Sequence, residues 1–260
     1  VARPCKVGRQ VRKHSGGILI YVSEMCSSAV SIWKAAEDGT RLWLKFTYLG
    51  NSKPLFLCIT YVPPQNSSYA DKALYDHIAQ EIAEAESTLG SVILARDFNA
   101  RTCEEANSVD CTSLCNALQI PELQNTCLPS QLRQNRDVVA PSRWYKELLG
   151  LCDATGYRIL NGRVAGDLTG EYTCLTNHGH NTIDYMIASP EMFKATQHLE
   201  VLTDPTYCGS KQSEFDQRPF ALRFVVQFST SAYTFDNNTP SPMIHFKYNP
   251  AFVDEYYTQL

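Results

Sequence analysis

The chain has 260 residues, 44% of them hydrophobic, with a formal net charge of −4 and a pI near 5.9. That composition supplies one large core and excludes a protein drawn to nucleic acid by an overall positive field. No apolar run approaches the roughly 18 residues of a membrane span, and no apolar signal segment opens the chain, so a soluble, intracellular protein is expected, with the nucleus open to it.

Charge is nonetheless uneven. Arg3, Lys6, Arg9, Arg12 and Lys13 fall in residues 1–16 with no acid among them. They read either as a phosphate-contacting basic arm or as a solvated terminus. The ten cysteines do not form a metal framework: Cys103, Cys111 and Cys115 lack a CxxC or HxxxH partner, whereas Cys58, Cys152 and Cys174 sit in apolar stretches as small core residues.

Strand-like runs rich in β-branched and aromatic residues are predicted at 17–23, 42–48 and 55–61. A helix is predicted over 67–89, where Ala70, Leu74, Ile78, Ile82 and Ala85 recur at helical spacing and Gly90 closes the element. Residues 91–95 read as a short buried strand, 100–140 as a long polar loop, and 142–155 as a second helix ending at Gly156. Short strands follow at 157–160, 171–175, 182–188 and 198–202, with a last one at 219–228. His178 and His180 read as exposed turn residues around Gly179. Residues 229–260, rich in Asn, Pro and Tyr, read as a linker or tail. Strands with two intervening helices and no strict alternation predict an α+β fold.

Polar clusters stand at the ends of the apolar runs: Thr60-Tyr61-Val62-Pro63-Pro64, Asp97-Phe98-Asn99, Thr182-Ile183-Asp184-Tyr185 and Ser213-Glu214-Phe215-Asp216-Gln217-Arg218-Pro219. On an extended segment, Asp97 and Asn99 share one face, so a carboxylate and an amide can address one phosphate or one water. Phosphodiester hydrolysis asks for such groups together with a divalent cation.

In this order the four clusters resemble the endonuclease/exonuclease/phosphatase family. The stretch from Cys152 to Arg163, CDATGYRILNGR, further resembles endonuclease domains of non-LTR retrotransposon polyproteins. The resemblance runs from about residue 16 to 222. It implies a four-layered α/β/β/α sandwich of two mixed sheets flanked by helices, formed by residues 17–228, with Mg²⁺ or Mn²⁺ as cofactor and DNA, contacted through its phosphate backbone, as partner. It also implies a monomeric domain of a larger polyprotein.

The roles implied are water positioning by Asp97, phosphate contacts by Asn99 and Tyr61, and orientation of a catalytic His by Asp184. Asp216 would ligate the metal or support that His, and Thr173, Asn181 and Arg101 would lie near the substrate strand. Two positions depart from the family pattern: Arg96 stands where Gly is usual, and Gln217 stands where the catalytic His is expected. A neutral amide neither titrates nor adds charge to its hydrogen bond. The family's early Asn and metal-binding Glu are not found, and Val1 is read as a truncated start lacking the first strands. The expectation is therefore an impaired DNA endonuclease domain. A non-catalytic nuclease-fold remnant that binds nucleic acid, or an enzyme for another phosphodiester, remains the alternative.

Overall fold

The computed structural model describes residues 18–47, 53–103, 133–139, 142, 144–176 and 179–202. The expected basic arm, the last strand and tail, and Asp216 and Gln217 lie outside these residues. The first elements are a short helix α1 (Glu24–Ser27), strands β1 (Val30–Ala35), β2 (Arg41–Phe46) and β3 (Leu55–Tyr61), helix α2 (Ala73–Ser87) and strand β4 (Ser91–Asp97). Helix α3 (Trp144–Thr155), strands β5 (Arg158–Ile159), β6 (Cys174–Thr176), β7 (Gly179–Asn181) and β8 (Asp184–Ala188), and helix α4 (Pro190–Ala195) follow.

Six strands form one mixed sheet in the order β1-β2-β3-β4-β8-β5, and β6 and β7 form a separate two-stranded hairpin. Among the described residues, only β3 and β4 run parallel within the large sheet, joined through α2. This is the α+β arrangement the sequence predicts.

Alternation along the central strands builds two cores. Trp43, Phe56, Cys58, Val92, Leu94, Tyr185 and Ile187 point to the face covered by Leu74, Ile78 and Ile82 of α2 and Leu148 and Cys152 of α3. Leu44, Leu55, Leu57, Ile93, Ala95, Met186 and Ala188 point to the opposite face, where Leu160, Val164, Met192 of α4 and Leu199 cover them. Period-two strands buried on both faces read as near-continuous apolar runs, which is why β2, β3 and β4 are legible in the sequence.

Four expectations are corrected. Residues 18–23 form no strand: Ile18 is buried, but Leu19, Tyr21 and Val22 are exposed. The edge strand is β1 instead, a half-exposed run broken by a bulge between Ile32 and Lys34. Its Ser and Lys hide the strand signal, while Trp33 packs edge-on against Trp43 and Phe56. Residues 198–202 also form no strand; Leu199 bonds to Ala165 O and fills the second core. His180 is exposed as expected but belongs to β7 rather than to a turn.

Gly90, expected as the helix-closing residue, does not take the left-handed conformation. Leu89 does, at φ 59°, with its side chain in solvent. Gly90 is required for a different reason, since a Cβ there would lie 2.3 Å from the Phe56 ring.

Candidate active site

The sheet register brings three of the expected residues into one row. Tyr61 pairs with Asp97 across β3 and β4, and Asp97 pairs with Asp184 across β4 and β8. By strand parity all three belong to the face away from α2 and α3. Asn99 joins them at the strand ends. Its backbone N–H donates to Asp97 Oδ1 at 2.8 Å and its side-chain amide to Val62 O at 2.6 Å. Asn99 holds φ 46°, a conformation that Asn tolerates through such local bonds. Hydrogen bonds from Tyr75 Oη to Phe98 O and from Trp144 Nε1 to Pro63 O tie the turns that carry these residues to α2 and α3.

Arg96 has φ 98°. The backbone here takes the shape that Gly adopts without cost, yet the position carries an L side chain, and such a residue stores on the order of 1–3 kcal/mol of strain.

Asp184 is almost wholly buried, and neither carboxylate oxygen has a hydrogen-bond partner among the described residues. Burial, followed by the neighbouring Asp97 charge, pushes its carboxyl up to about 7, while the Arg96 charge and then the Thr173 hydroxyl pull it back. Thr173 Oγ accepts the backbone N–H groups of Ile183 and Asp184, each at 3.1 Å. Thr173 has no exposed surface, so it lies beneath the site rather than in the path of a substrate. Asn181 closes the base of the hairpin, its carbonyl accepting Thr173 N–H, and its buried side-chain oxygen has no hydrogen-bond partner among the described residues.

Arg101 is a quarter exposed and grips Asp137 with two bonds, Nε to Oδ2 at 2.9 Å and Nη2 to Oδ1 at 2.5 Å. Asp137, whose side chain is fully buried, also accepts Thr182 N–H at 3.0 Å and Val139 N–H at 3.3 Å. Tyr185 adds a second tie, since its hydroxyl reaches Ala100 O and Thr182 O. Arg133 packs over the Tyr185 ring and bonds Thr102 Oγ1 and Cys103 O.

Arg133, Asn135 and Asp137 fall inside a stretch with no period, which hides them in the sequence. The alternating polar triplet Arg133-x-Asn135-x-Asp137 was the available signal. In the stretch from Cys152 to Arg163, Gly162 has φ 75° and a Cβ there would sit 1.8 Å from Gln134 O, so this Gly seats the 133–139 loop.

No family model and no curated protein sequence matches the chain. Among solved structures, the chain is similar to several at low identity. A 3′-5′ exonuclease from Neisseria meningitidis matches at 13% identity over 72% of this chain and 67% of that one, with a TM-score of 0.43. The endonuclease domain of TRAS1, a telomere-specific non-LTR retrotransposon, matches at 13% identity over 77% and 80%, with a TM-score of 0.41. An endonuclease/exonuclease/phosphatase family protein from Leptotrichia buccalis matches at 11% identity over 72% and 53%, with a TM-score of 0.37.

Proposed function

We propose that this chain carries a divalent-metal-dependent phosphodiesterase site of the DNA-endonuclease type, impaired by Gln217 in place of the catalytic His. The observation that supports this most is the row formed by Tyr61, Asp97 and Asp184 across three adjacent strands, with Asn99 folded against Val62 beside it. In this reading Asp97 orients the attacking water and takes its proton, while Asn99 and Tyr61 hold the phosphate. Asp184 supplies the buried charge that would steady an imidazolium in a site with the His.

Asp97, Asp184 and the Asn99 amide are hard oxygen donors, suited in kind to Mg²⁺ or Mn²⁺, and the two orphaned oxygens of Asp184 are consistent with a positive partner. Among the described residues no three His, Cys, Asp or Glu side chains converge on a metal position. The proposal therefore needs Asp216 to complete the ligands. A bound cation would neutralise the non-bridging phosphate oxygens. On the sequence resemblance, the site belongs to one domain, residues 17–228, of a larger polyprotein that contacts the DNA backbone, with residues 1–16 as a basic arm and 229–260 as a linker. Among the described residues no helix is long and apolar enough to cross a membrane.

The test is nicking of supercoiled plasmid by the purified chain with Mg²⁺, Mn²⁺ or EDTA. Weak metal-dependent nicking, lost in Asp97→Asn and raised about tenfold or more in Gln217→His, is expected, since a catalytic proton-transfer group typically contributes about 10²–10⁴ in rate. Strong nicking that Gln217→His leaves unchanged would refute the impairment. No nicking by a folded Gln217→His chain would favour the second reading, a nucleic-acid-binding remnant, to which the neutral Gln217 and the strained Arg96 already point.

A further inference from the structure

We infer that Asp137 is a positioning residue that couples the two arms of the site, the Asp97–Arg101 arm and the Thr182–Asp184 arm. The inference rests on the phosphodiesterase reading for its catalytic consequence but not for its structural one. A single oxygen, Asp137 Oδ2, accepts both Arg101 Nε at 2.9 Å and Thr182 N–H at 3.0 Å. The other oxygen accepts Arg101 Nη2 and Val139 N–H, so the carboxylate makes four hydrogen bonds. Its side chain has no exposure and Arg101 has a quarter, so the guanidinium is the charge that makes burial of the carboxylate tolerable.

The Asp137 backbone is fixed in turn. Its N–H donates to Asn135 Oδ1, and Asn135 Nδ2 donates to Cys103 O, which lies just beyond the first arm. Arg101 is seated from behind, with its N–H on Ser142 Oγ and its carbonyl receiving Ser142 N–H. The Asp97 and Asp184 side chains arrive on different strands, and beyond the strand ends the Arg101–Asp137–Thr182 bridge, alongside the Tyr185 hydroxyl, spans the segment leaving β4 and the segment entering β8. This makes Arg101 a strut, not a substrate clamp. A guanidinium committed bidentately to a buried carboxylate has its planar fork occupied.

The experiment is amide hydrogen exchange at Thr182, read by two-dimensional NMR in the full chain and in Arg101→Gln, Asp137→Asn and the double variant. Arg101 makes no direct bond to Thr182, and the parallel tie through the Tyr185 hydroxyl, which contacts Ala100 O and Thr182 O, is not shared with Asp137, so placing Arg101→Gln on Asp137→Asn separates the two routes. Exchange at Thr182 is expected to speed up about tenfold or more in each single variant, with less than about twofold added when Arg101→Gln is placed on Asp137→Asn. Unchanged Thr182 exchange in Arg101→Gln overturns the inference, and this variant decides the matter alone if Asp137→Asn does not fold. In a chain that nicks DNA, Asp137→Asn lowers kcat about tenfold with KM held within about twofold. A raised KM at unchanged kcat would return Arg101 and Asp137 to substrate binding and overturn the inference. Absence of nicking in every form removes the phosphodiesterase reading, while the exchange data still decide the coupling.

Discussion

Replacing Asp184 with Asn removes a buried charge and keeps the shape of the side chain. Its carboxyl stands at about 7 against an ordinary value of 3.8, raised first by burial and then by Asp97. The folded chain therefore binds this proton more tightly than the unfolded chain does. The resulting stability is fully present below the ordinary carboxylate value and disappears as pH rises through about 7. A shift of one unit corresponds to about 1.36 kcal/mol, so the whole window spans about 4 kcal/mol, and about 3 of that falls between about pH 5 and pH 8. Urea unfolding of the wild-type chain and Asp184→Asn at these two pH values reads the difference directly. The wild-type chain should lose about 3 kcal/mol relative to the variant on going to the higher pH. Equal differences at both pH values would falsify the claim that Asp184 is buried next to Asp97 without a compensating partner. A carboxylate held this way is costly to the fold, as expected where a site is organised for chemistry rather than stability.

Three further outcomes follow from the same geometry. Arg96→Gly relieves a φ of 98° and should raise stability by about 1 kcal/mol in thermal unfolding; a loss would mean that the guanidinium contributes more than the backbone strain costs. Thr173→Val leaves the Ile183 and Asp184 N–H groups buried without an acceptor and should cost about 3 kcal/mol, whereas Thr173→Ser, which keeps the oxygen, should cost about 1 kcal/mol. Glu81→Ala strips the buried Arg41 of its Nε partner at 2.9 Å and Trp43 of its indole acceptor at 2.7 Å, and chemical denaturation should record a loss of about 3 kcal/mol or more.

Several elements were legible because the signal is local. The strand Leu55–Tyr61 and the helix-closing Gly156 coincide with their sequence expectations, and α2 is found on its apolar period, although it starts at Ala73 rather than at residue 67. The first turns there are held by Ser67 and Asp71 instead. β1 was not legible, because an edge strand with one exposed face and a bulge breaks the alternation. Glu81 was not legible as a core residue either. Its helical position is apolar-facing, and Arg41 and Trp43, some 40 residues earlier, with Lys34 at 3.9 Å, make a carboxylate tolerable there.

By itself the sequence determined which residue types end the strands: Tyr61, Asp97, Asn99 and Asp184 each follow or open an apolar run, and alternation assigns each to a face. The tertiary structure decided which of them meet. Register alone aligns Tyr61, Asp97 and Asp184 in one row, and register is fixed by pairing between strands far apart in the chain. The same long-range packing sinks Thr173 beneath the site and turns Arg101 onto Asp137, 36 residues away. A side chain's role as contact or support depends on which partner burial leaves within reach, and no local pattern carries that information.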